Sequence, residues 1–356
     1  MYQQLRNKWQ LYFDDNNRVT PFSRPEWIWP RGEADERSNW LLDLGCGYAP
    51  LEFRNRNTTK TIRLLGADYE DIVAQPGKEL EAVGSLLEQL NRRQSEWDIC
   101  DFRTLLPESV LMSVFSDGSG NVVKPAELTP LLKQKSIAIV PHHVYFRVEI
   151  PKTWKEYEDH LGKKLAYQMR SAEGRRQRHF KSSHLRRSTQ ETLDEDLSAL
   201  FDLHSLRWQA KGHSGHFSNE ASREGFRLRA RGFLDLGQLR LYTLWLDDKP
   251  AGALFTIADK RRIYYHCSGF DTEVGKFHPT KVLIAEAIKD GLKEGPMEFD
   301  FMKGEEEYKQ TWANNERTTS RLVIARNTPQ GLGAMAALKI QSRIQDWKQN
   351  RSKLAE

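Results

Sequence analysis

The chain has 356 residues, of which 38% are hydrophobic and 10% aromatic, and its 54 basic and 49 acidic residues give a net charge of +5. This composition excludes a disordered chain, and the mild positive bias permits an anionic cofactor without requiring nucleic acid. Three cysteines provide neither a disulfide framework nor a metal-ligand spacing, and the sequence shows neither a membrane-spanning run nor a leader. We therefore expect a soluble, cytoplasmic protein of about two domains.

The first 150 residues predict an α/β unit. Residues 40–44 and 51–54 have the character of strands joined around a glycine-rich turn, and residues 77–93 repeat apolar side chains with a helical period. Residues 97–102 predict a further strand. Strands that alternate with helices in this way indicate a domain over residues 1–150.

The glycine-rich turn at residues 42–47 imitates the nucleotide-binding turn of an S-adenosylmethionine methyltransferase, and an acidic residue follows within residues 66–68. In that fold the glycines are followed by a helix. Here Pro50 stands where a third glycine would pack helix against strand, and residues 51–54 alternate with period two. A hairpin fits better than a helix, which disfavours a methyltransferase.

A strongly basic segment opens the second half of the chain. Residues 154–161 predict a short amphipathic helix, and residues 163–181 are rich in lysine and arginine. Either a solvated helix face or a surface that binds phosphates fits this pattern. Residues 195–210 predict another helix.

The next segment predicts three antiparallel strands. Residues 240–246 and 251–257 form a hairpin across an Asp-Asp-Lys-Pro turn, and residues 262–268 follow as an aromatic strand. The tail after Pro329 has apolar residues at helical spacing, including Ile344 and Trp347, and predicts a closing helix.

A helix and a short strand follow the aromatic strand. Residues 279–292 have helical periodicity, Gly295 and Pro296 end that helix, and residues 297–302 form an apolar strand. Proline at the first helical position leaves the next backbone N–H groups free, at the positive end of the helix dipole. Such an end can hold a phosphate or pyrophosphate. The layout therefore predicts a site for a cofactor with a diphosphate.

Three motifs in the second half resemble those of the BioF/CelD-like acetyltransferases, a branch of the GNAT superfamily related to the FemAB aminoacyl transferases. The motifs are Phe201-x-x-His204-x-x-Arg207-Trp208-x-x-x-Gly212-x-x-Gly215-x-Phe217, Tyr264-Tyr265-x-x-Ser268-Gly269-Phe270-Asp271 and Phe299-Asp300-Phe301-Met302-Lys303-Gly304-x-x-x-Tyr308-Lys309-x-x-Trp312. The resemblance is dense from about residue 151 to residue 326 and weaker, but visible, before that.

The resemblance implies an α/β fold of tandem GNAT-like halves, each a mixed β-sheet flanked by helices. Residues 1–150 would form the N-terminal half, residues 151–330 the acetyltransferase domain, and residues 331–356 a C-terminal helix. It also implies an N- or O-acyltransferase that uses acetyl-CoA or another acyl-CoA and no metal. The implied acceptor is an amine or hydroxyl on a sugar or polysaccharide precursor.

Three side chains are candidates for the chemistry. His204 has an ordinary pKa near working pH and is our first choice for a base, although it could equally pack or cap. Asp300 points away from its apolar neighbours in the strand, so it should meet the active site or a cation such as Lys303 or Lys309. Tyr308 could protonate the leaving thiolate, or be a buried tyrosine with a satisfied hydroxyl.

The remaining candidates bind substrate or cofactor. The proposed substrate-binding residues are Arg207, Trp208, Asp271, Lys303 and Lys309, where a turn-capping role for Asp271 fits equally well. The proposed cofactor-binding residues are His266, Ser268, Pro279, Thr280, Lys281 and Val282.

One departure from the family pattern keeps other functions open. The family usually opens this helix with Ser-Pro-Gly, whereas this chain has His278, Pro279 and Thr280, so a side chain stands where glycine lets the backbone approach a pyrophosphate. One alternative is FemAB-like transfer of an amino acid from charged tRNA bound by residues 163–181, although the sequence has no room for an inserted helical hairpin. The other is a non-catalytic partner of a polysaccharide synthesis complex.

Overall fold

The computed structural model describes residues 12–13, 16, 18–30, 39–56, 58–66, 68–209, 212–295, 298–304 and 306–353, without the side chains of residues 39, 56 and 344–353. Ala67, Ala210, Pro296, Met297 and the side chains of Ile344 and Trp347, which enter the predictions above, lie outside this description. The chain divides into two compact units, Met1–His143 with Thr318–Glu356 and Val144–Arg317. The domain boundaries that we drew from the sequence stay predictions.

The strands follow the chain in this order: β1 (Asn39–Asp43), β2 (Gly47–Arg56), β3 (Thr59–Leu64), β4 (Val73–Ala74), β5 (Ile99–Leu105), β6 (Lys135–Glu149), β7 (Ser183–Arg187), β8 (Leu239–Leu246), β9 (Lys249–Ala258), β10 (Arg262–Phe270), β11 (Glu298–Lys303) and β12 (Asn315–Arg326).

The helices are α1 (Pro25–Ile28), α2 (Glu79–Arg92), α3 (Val110–Phe115), α4 (Trp154–His160), α5 (Lys163–His179), α6 (Leu193–Gln209), α7 (Glu220–Asp235), α8 (Pro279–Glu294), α9 (Glu307–Trp312) and α10 (Pro329–Lys353). None of the helices within the described ranges combines the length and the apolar character that crossing a membrane requires.

In the first unit the strand order is β1-β2-β3-β5-β12, with β4 beside β2. Strands β1 and β2 form an antiparallel hairpin that closes between Asp43 and Tyr48, with Gly45 at a φ of 79° in its turn. The predicted hairpin is therefore confirmed, and no helix follows the glycines as a methyltransferase would require. Strands β3 and β5 are parallel and are joined through α2, whose apolar face packs into the core of this unit.

In the second unit the strand order is β6-β11-β10-β9-β8-β7. Strands β8 and β9 form the predicted hairpin, and Asp247 and Asp248 take positive φ values of 47° and 62° in its turn. Strand β10 is antiparallel to β9 and parallel to β11, with α8 as the connection. The predicted strand, helix and strand are confirmed, as is the mixed α/β class with helices flanking the sheet.

Two glycines let helices pack closely on opposite faces of this sheet. A Cβ on Gly269 of β10 would lie 2.3 Å from the backbone nitrogen of His204 in α6. A Cβ on Gly252 of β9 would lie 2.9 Å from Pro279 in α8. Because Gly252 pairs with Phe270, next to Gly269, the two glycines face opposite sides of the sheet. Helices α6 and α8 therefore enclose β10 from both sides.

Candidate active site

Strands β10 and β11 begin side by side and then separate. Their parallel pairing ends at Tyr264 and Asp300. Beyond that point the register of β10 against β9 shifts between Tyr265 and Cys267, and β11 bulges after Asp300. Bulges bend a strand and change the direction of its side chains. A gap therefore opens at the C-terminal ends of two parallel strands, where open α/β sheets hold ligands.

Asp300 organises the bulge of β11. Its carboxylate is fully buried, and Oδ1 accepts a hydrogen bond of 2.7 Å from the backbone N–H of Met302, which has a φ of 58°. Arg317 Nη1 lies 3.4 Å from Oδ2. The buried carboxylate meets a cation, as expected, but that cation is Arg317 rather than Lys303 or Lys309.

The two lysines close the end of β11. Lys309 is 3% exposed, and its Nζ donates to the carbonyl oxygen of Lys303 at 2.8 Å and pairs with Glu306 at 2.9 Å. Lys303 itself is exposed. The buried Lys309 ammonium thus hydrogen-bonds the strand carbonyl and pairs with a carboxylate, and these contacts hold the β11–α9 turn in place.

Glu298 begins β11 on the same face as Asp300 and collects three guanidinium groups. Arg147 lies 2.6 Å away, Arg317 lies 2.9 Å away, and Arg262 also forms an ion pair with it. Burial alone would raise the pKa of Glu298, but Arg262 and Arg317 hold that pKa below its usual value. This network fixes the paired ends of β10 and β11, so the strands separate only beyond it.

The first turn of α8 lines a cleft at the end of β10. His278 precedes it in the left-handed conformation, with a φ of 54°, and Pro279 is its first residue. The first intrahelical bond runs from the N–H of Val282 to the carbonyl of His278, so helical geometry gives the N–H groups of Thr280 and Lys281 no partner. No acidic side chain lies in this turn. The start of α8 therefore offers backbone donors without a competing carboxylate.

Two side chains of the same turn can contact a bound anion. Thr280 Oγ1 is buried and has no hydrogen-bond partner among the described residues. Lys281 Nζ donates to Gln168 Oε1 of α5 at 2.5 Å. Burial lowers the pKa of Lys281, and the nearby charge of Lys164 lowers it further. An anion bound here would relieve both penalties on the Lys281 ammonium.

A cleft of about 200 Å³ lies beside this turn. It is bounded by the start of α8, the ends of β10 and α6, and the short helix α9. Its lining residues are Arg207, Tyr265, Phe270, Gly275, His278, Pro279, Thr280, Lys281, Ile284, Tyr308 and Trp312. Of the predicted site residues, the cleft brings together Arg207, Tyr308, Pro279, Thr280 and Lys281.

Three hydroxyl groups lie at the end of β10 and on α9. The Tyr265 and Ser268 hydroxyls are 2.5 Å apart, and the Tyr308 hydroxyl lies close enough to Tyr265 to affect its pKa. Burial raises the pKa of Tyr308, and the neighbouring Tyr265 raises it further. Tyr308 therefore stays protonated at neutral pH and can donate a proton or a hydrogen bond.

His204 lies beneath β10 and does not appear in the cleft lining described above. It is 6% exposed, and its Nε2 accepts a hydrogen bond of 2.9 Å from Trp208 Nε1. Burial, with smaller contributions from His216 and Arg207, lowers the pKa of His204 to about 4. At neutral pH His204 is uncharged, and its interaction orients Trp208, which is 37% exposed.

The other predicted side chains surround the cleft without lining it. Asp271 accepts a hydrogen bond from the backbone N–H of Glu273 at 2.9 Å, as a turn-capping residue does. His266 lies at the bulge of β10 and stacks on Phe226 at 5.6 Å, and burial lowers its pKa to about 3. Val282 faces away from the cleft, toward a second cavity.

Sequence reasoning did not identify Tyr265, Phe270, Trp312 and Arg317 as parts of this site. A signal for Arg317 was present, because Glu298 and Asp300 are two carboxylates with a period of two in an apolar strand. Their shared face requires cations, but the identity of the cation depends on tertiary contacts. Helix α7 and strands β6, β7 and β12 were also not predicted, and Pro141 within β6 argues against a strand.

Parts of this chain are similar to a known protein family and to solved structures. Residues 167–310 match the family model described as "Acetyltransferase (GNAT) domain". No curated protein matches the chain. Among solved structures, FemX has a TM-score of 0.60 at 9% identity, with 89% of this chain and 95% of that chain covered.

Two further structures are similar over nearly their whole length. A conserved protein of unknown function from Bacteroides thetaiotaomicron has a TM-score of 0.55 at 10% identity, covering 92% of this chain and 98% of that chain. L-PGS from Bacillus licheniformis has a TM-score of 0.51 at 11% identity, covering 90% and 92%. At such low identity these likenesses show the fold alone.

The matched region begins within α5 and ends within α9, and Trp312 is the residue of the described cleft lining that lies beyond it. The match supports an acyltransferase and does not distinguish the BioF/CelD-like branch. Residues 167–310, within the unit that carries the cleft, thus match a GNAT acetyltransferase domain.

Proposed function

We propose that this protein is an acyl-CoA-dependent N- or O-acyltransferase that acetylates a sugar or polysaccharide precursor. One observation carries the proposal: the first turn of α8, with unpartnered donors and no acidic side chain, lines a cleft at the end of β10. A diphosphate suits such a helix start. The match to a GNAT acetyltransferase domain supports acyl-CoA as the compound that carries this diphosphate.

In this proposal the N–H groups of Thr280 and Lys281 bind the diphosphate. The Thr280 hydroxyl, which has no partner in the described structure, supplies a further donor where the family pattern has glycine. Lys281 exchanges its contact with Gln168 for a phosphate oxygen. The pantetheine arm follows the gap toward the bulge of β10 at His266, where strand backbone can hold the thioester carbonyl.

The chemistry is transfer of an acyl group from sulfur to nitrogen or oxygen. The acceptor atom attacks the carbonyl carbon, the C–S bond breaks, and the thiolate takes a proton from the Tyr308 hydroxyl. The proton lost by the acceptor returns to Tyr308 through solvent. Because its pKa is about 4, His204 is a poor base at neutral pH, and in this proposal it positions Trp208 while Asp300 shapes the strand ends.

The acceptor would approach from the side of α6. Arg207 lines the cleft, and its guanidinium lies over the Phe270 ring at 5.6 Å. Trp208 and Leu206 are 37% and 54% exposed beside it. An exposed indole next to a fixed guanidinium suits the apolar face and hydroxyl groups of a sugar ring.

Release of free thiol from acetyl-CoA, measured with and without amino-sugar acceptors, tests this function. We expect thiol release that depends on the acceptor and an acetylated product of matching mass. Thiol release that no acceptor accelerates, together with no acetylated product, would contradict the proposal.

The basic helix α5 favours a second candidate function, FemAB-like aminoacyl transfer. Lys163 and Lys164 begin this helix, and Tyr167 is 65% exposed among its cationic side chains. Exposed cations with an aromatic ring suit RNA. Binding of tRNA that weakens steeply with rising salt would favour this candidate, and binding that is absent or independent of salt would remove it.

A non-catalytic role is tested separately. If cells keep their function with both Tyr308→Phe and Thr280→Glu, neither the proposed proton donor nor the proposed diphosphate site supports a reaction on which the cell depends.

A further inference from the structure

A second cavity lies on the other side of α8 from the cleft. It has a volume of about 340 Å³, and its walls come from α4, α5, α8 and the strands β7 and β8. It shares no lining residue with the cleft. Nothing in the proposed acyl transfer uses it.

One guanidinium dominates the inner wall of this cavity. Arg176 is 7% exposed, and its Nε donates a hydrogen bond of 3.3 Å to Ser183 Oγ. Its Nη1 is buried and has no hydrogen-bond partner among the described residues. Burial lowers the pKa of Arg176, and Glu173, an exposed residue one turn earlier, offsets this in part. A buried cation without a close carboxylate destabilises the fold, unless an anion from outside pairs with it.

The rest of the lining separates into an apolar surface and a charged rim. The apolar surface consists of Trp154, Met169, Leu185, Leu244, Val282 and Ala285. On the rim, Arg170 pairs with Glu158 at 3.2 Å, and Lys289 lies over the Trp154 ring at 4.9 Å. Arg170 and Lys289 therefore already have partners, whereas Arg176 forms no ion pair with a carboxylate among the described residues.

We propose that this second cavity binds a small organic carboxylate. The carboxylate pairs with Arg176, and the apolar body lies between Trp154 and the apolar residues of α8 and β8. A guanidinium holds a carboxylate through two parallel hydrogen bonds, which suits the deep position of Arg176. Glu158, Glu173 and Glu286 also line the cavity. Their charges repel a phosphate dianion more strongly than a monoanion, so a carboxylate is favoured.

The proposal is independent of acyl transfer, and the test uses the full chain with two matched probes. The probe 3-phenylpropionate has a carboxylate on an apolar body, and phenethylamine has the same body with an amine. Calorimetric titration should show binding of 3-phenylpropionate below about 10 mM and none of phenethylamine. Equal binding of both probes, or binding of neither, would overturn the proposal.

Three variants assign the binding to this cavity. Arg176→Met should weaken binding of 3-phenylpropionate at least about tenfold without lowering the melting temperature, because it removes a buried charge that lacks a close partner. Arg178→Met, an exposed arginine of the same helix that does not line the cavity, is the matched control and should bind as the wild type does. Ala285→Phe should fill the cavity and weaken binding with Arg176 intact.

Two results contradict the assignment to Arg176. One is wild-type affinity in Arg176→Met. The other is a large fall in melting temperature in that variant, with Ala285→Phe still binding the probe, because both together would make Arg176 a structural cation.

Discussion

Both units contain two parallel strands connected through a helix, but the two connecting helices differ in whether an acidic side chain lies in the first turn. In the first unit, β3 and β5 are parallel at Thr61–Ile99 and Ile62–Cys100 and are connected through α2. In the second, β10 and β11 are parallel and are connected through α8. In each case a helix starts beyond the end of the first strand, so both units have the backbone layout of an anion site.

The first turns of the two connecting helices differ in charge. Helix α2 has Glu79 and Glu81 there, and Glu79 Oε1 accepts a hydrogen bond from the N–H of Gly77 at 3.2 Å. Helix α8 has no acid in its first turn, and its Thr280 hydroxyl is without a partner in the described structure. A carboxylate of the protein thus occupies the start of α2. The same layout is open to an external anion only where the sequence leaves its donors unused.

The buried titratable groups of the two units also differ. In the first unit burial raises the pKa of Glu70 to about 8 and that of Asp71 to about 7. In the second unit burial lowers the pKa of His204 to about 4 and that of His266 to about 3. The stability contributed by these groups should therefore fall with rising pH in the first unit and with falling pH in the second.

The largest effect is expected from a substitution that places an acidic side chain in the first turn of α8, where α2 has Glu79 and Glu81. Thr280→Glu places a carboxylate in the first turn, where it repels a diphosphate. At an effective dielectric constant of about 20, unit charges about 4 Å apart repel by about 4 kcal/mol, so acetyl-CoA affinity should fall roughly a thousandfold. Calorimetry measures this change. The reverse change in the other unit, Glu79→Thr, should leave the affinity as it is, and a loss there would refute the contrast.

Removing the Tyr308 hydroxyl should affect turnover rather than binding. General acid catalysis contributes about a hundredfold or more, so Tyr308→Phe should lower kcat by about that factor with acetyl-CoA affinity unchanged. Steady-state kinetics and calorimetry separate the two quantities. Tyr167→Phe, at an exposed tyrosine, is the control. An unchanged kcat in Tyr308→Phe would exclude it as the proton donor.

A smaller effect concerns acid stability in the second unit. The pKa of folded His266 is about 3, below its unfolded value of about 6.5. The unfolded state therefore binds the extra proton, and stability falls as the pH decreases from about 6.5. His266→Gln should reduce this fall by about 1 kcal/mol or more, measured by urea unfolding at several pH values. The same pH slope in the variant and the wild type would show that His266 does not cause it.

The smallest effect is expected on the alkaline side of the first unit. The pKa of folded Glu70 is about 8, above its unfolded value, so the folded state holds the proton longer. Stability from this group is present at low pH and is lost as the pH rises toward about 8. Glu70→Gln should unfold at higher urea than the wild type at pH 8.5, by about 1 kcal/mol. A variant less stable than the wild type there would contradict the assignment.

Local signals were enough to predict the helix that carries the site. Pro279 at its first position and Gly295 after its last residue fix its two ends, and Gly295 takes a φ of 93°. The β8–β9 hairpin followed from its turn residues in the same way. These features depend on short-range backbone geometry, which the residue type controls directly.

The electrostatic character of the site could not be predicted in this way. The residue type alone predicts an ordinary histidine pKa for His204. Its burial under β10 is the main reason that this pKa is lowered to about 4 in the folded protein. The partner of Asp300 is Arg317, which belongs to a different strand. Burial and partner identity arise from tertiary packing. The residue type alone therefore does not determine whether a side chain takes part in the reaction or holds the site in place.

Calorimetric titration of acetyl-CoA against the wild type and Thr280→Glu tests the central claim most directly. We predict one molecule bound per chain by the wild type and loss of that binding in the folded variant. Equal affinity in both proteins, or no binding to the wild type at millimolar acetyl-CoA, would contradict the claim that the start of α8 binds the diphosphate.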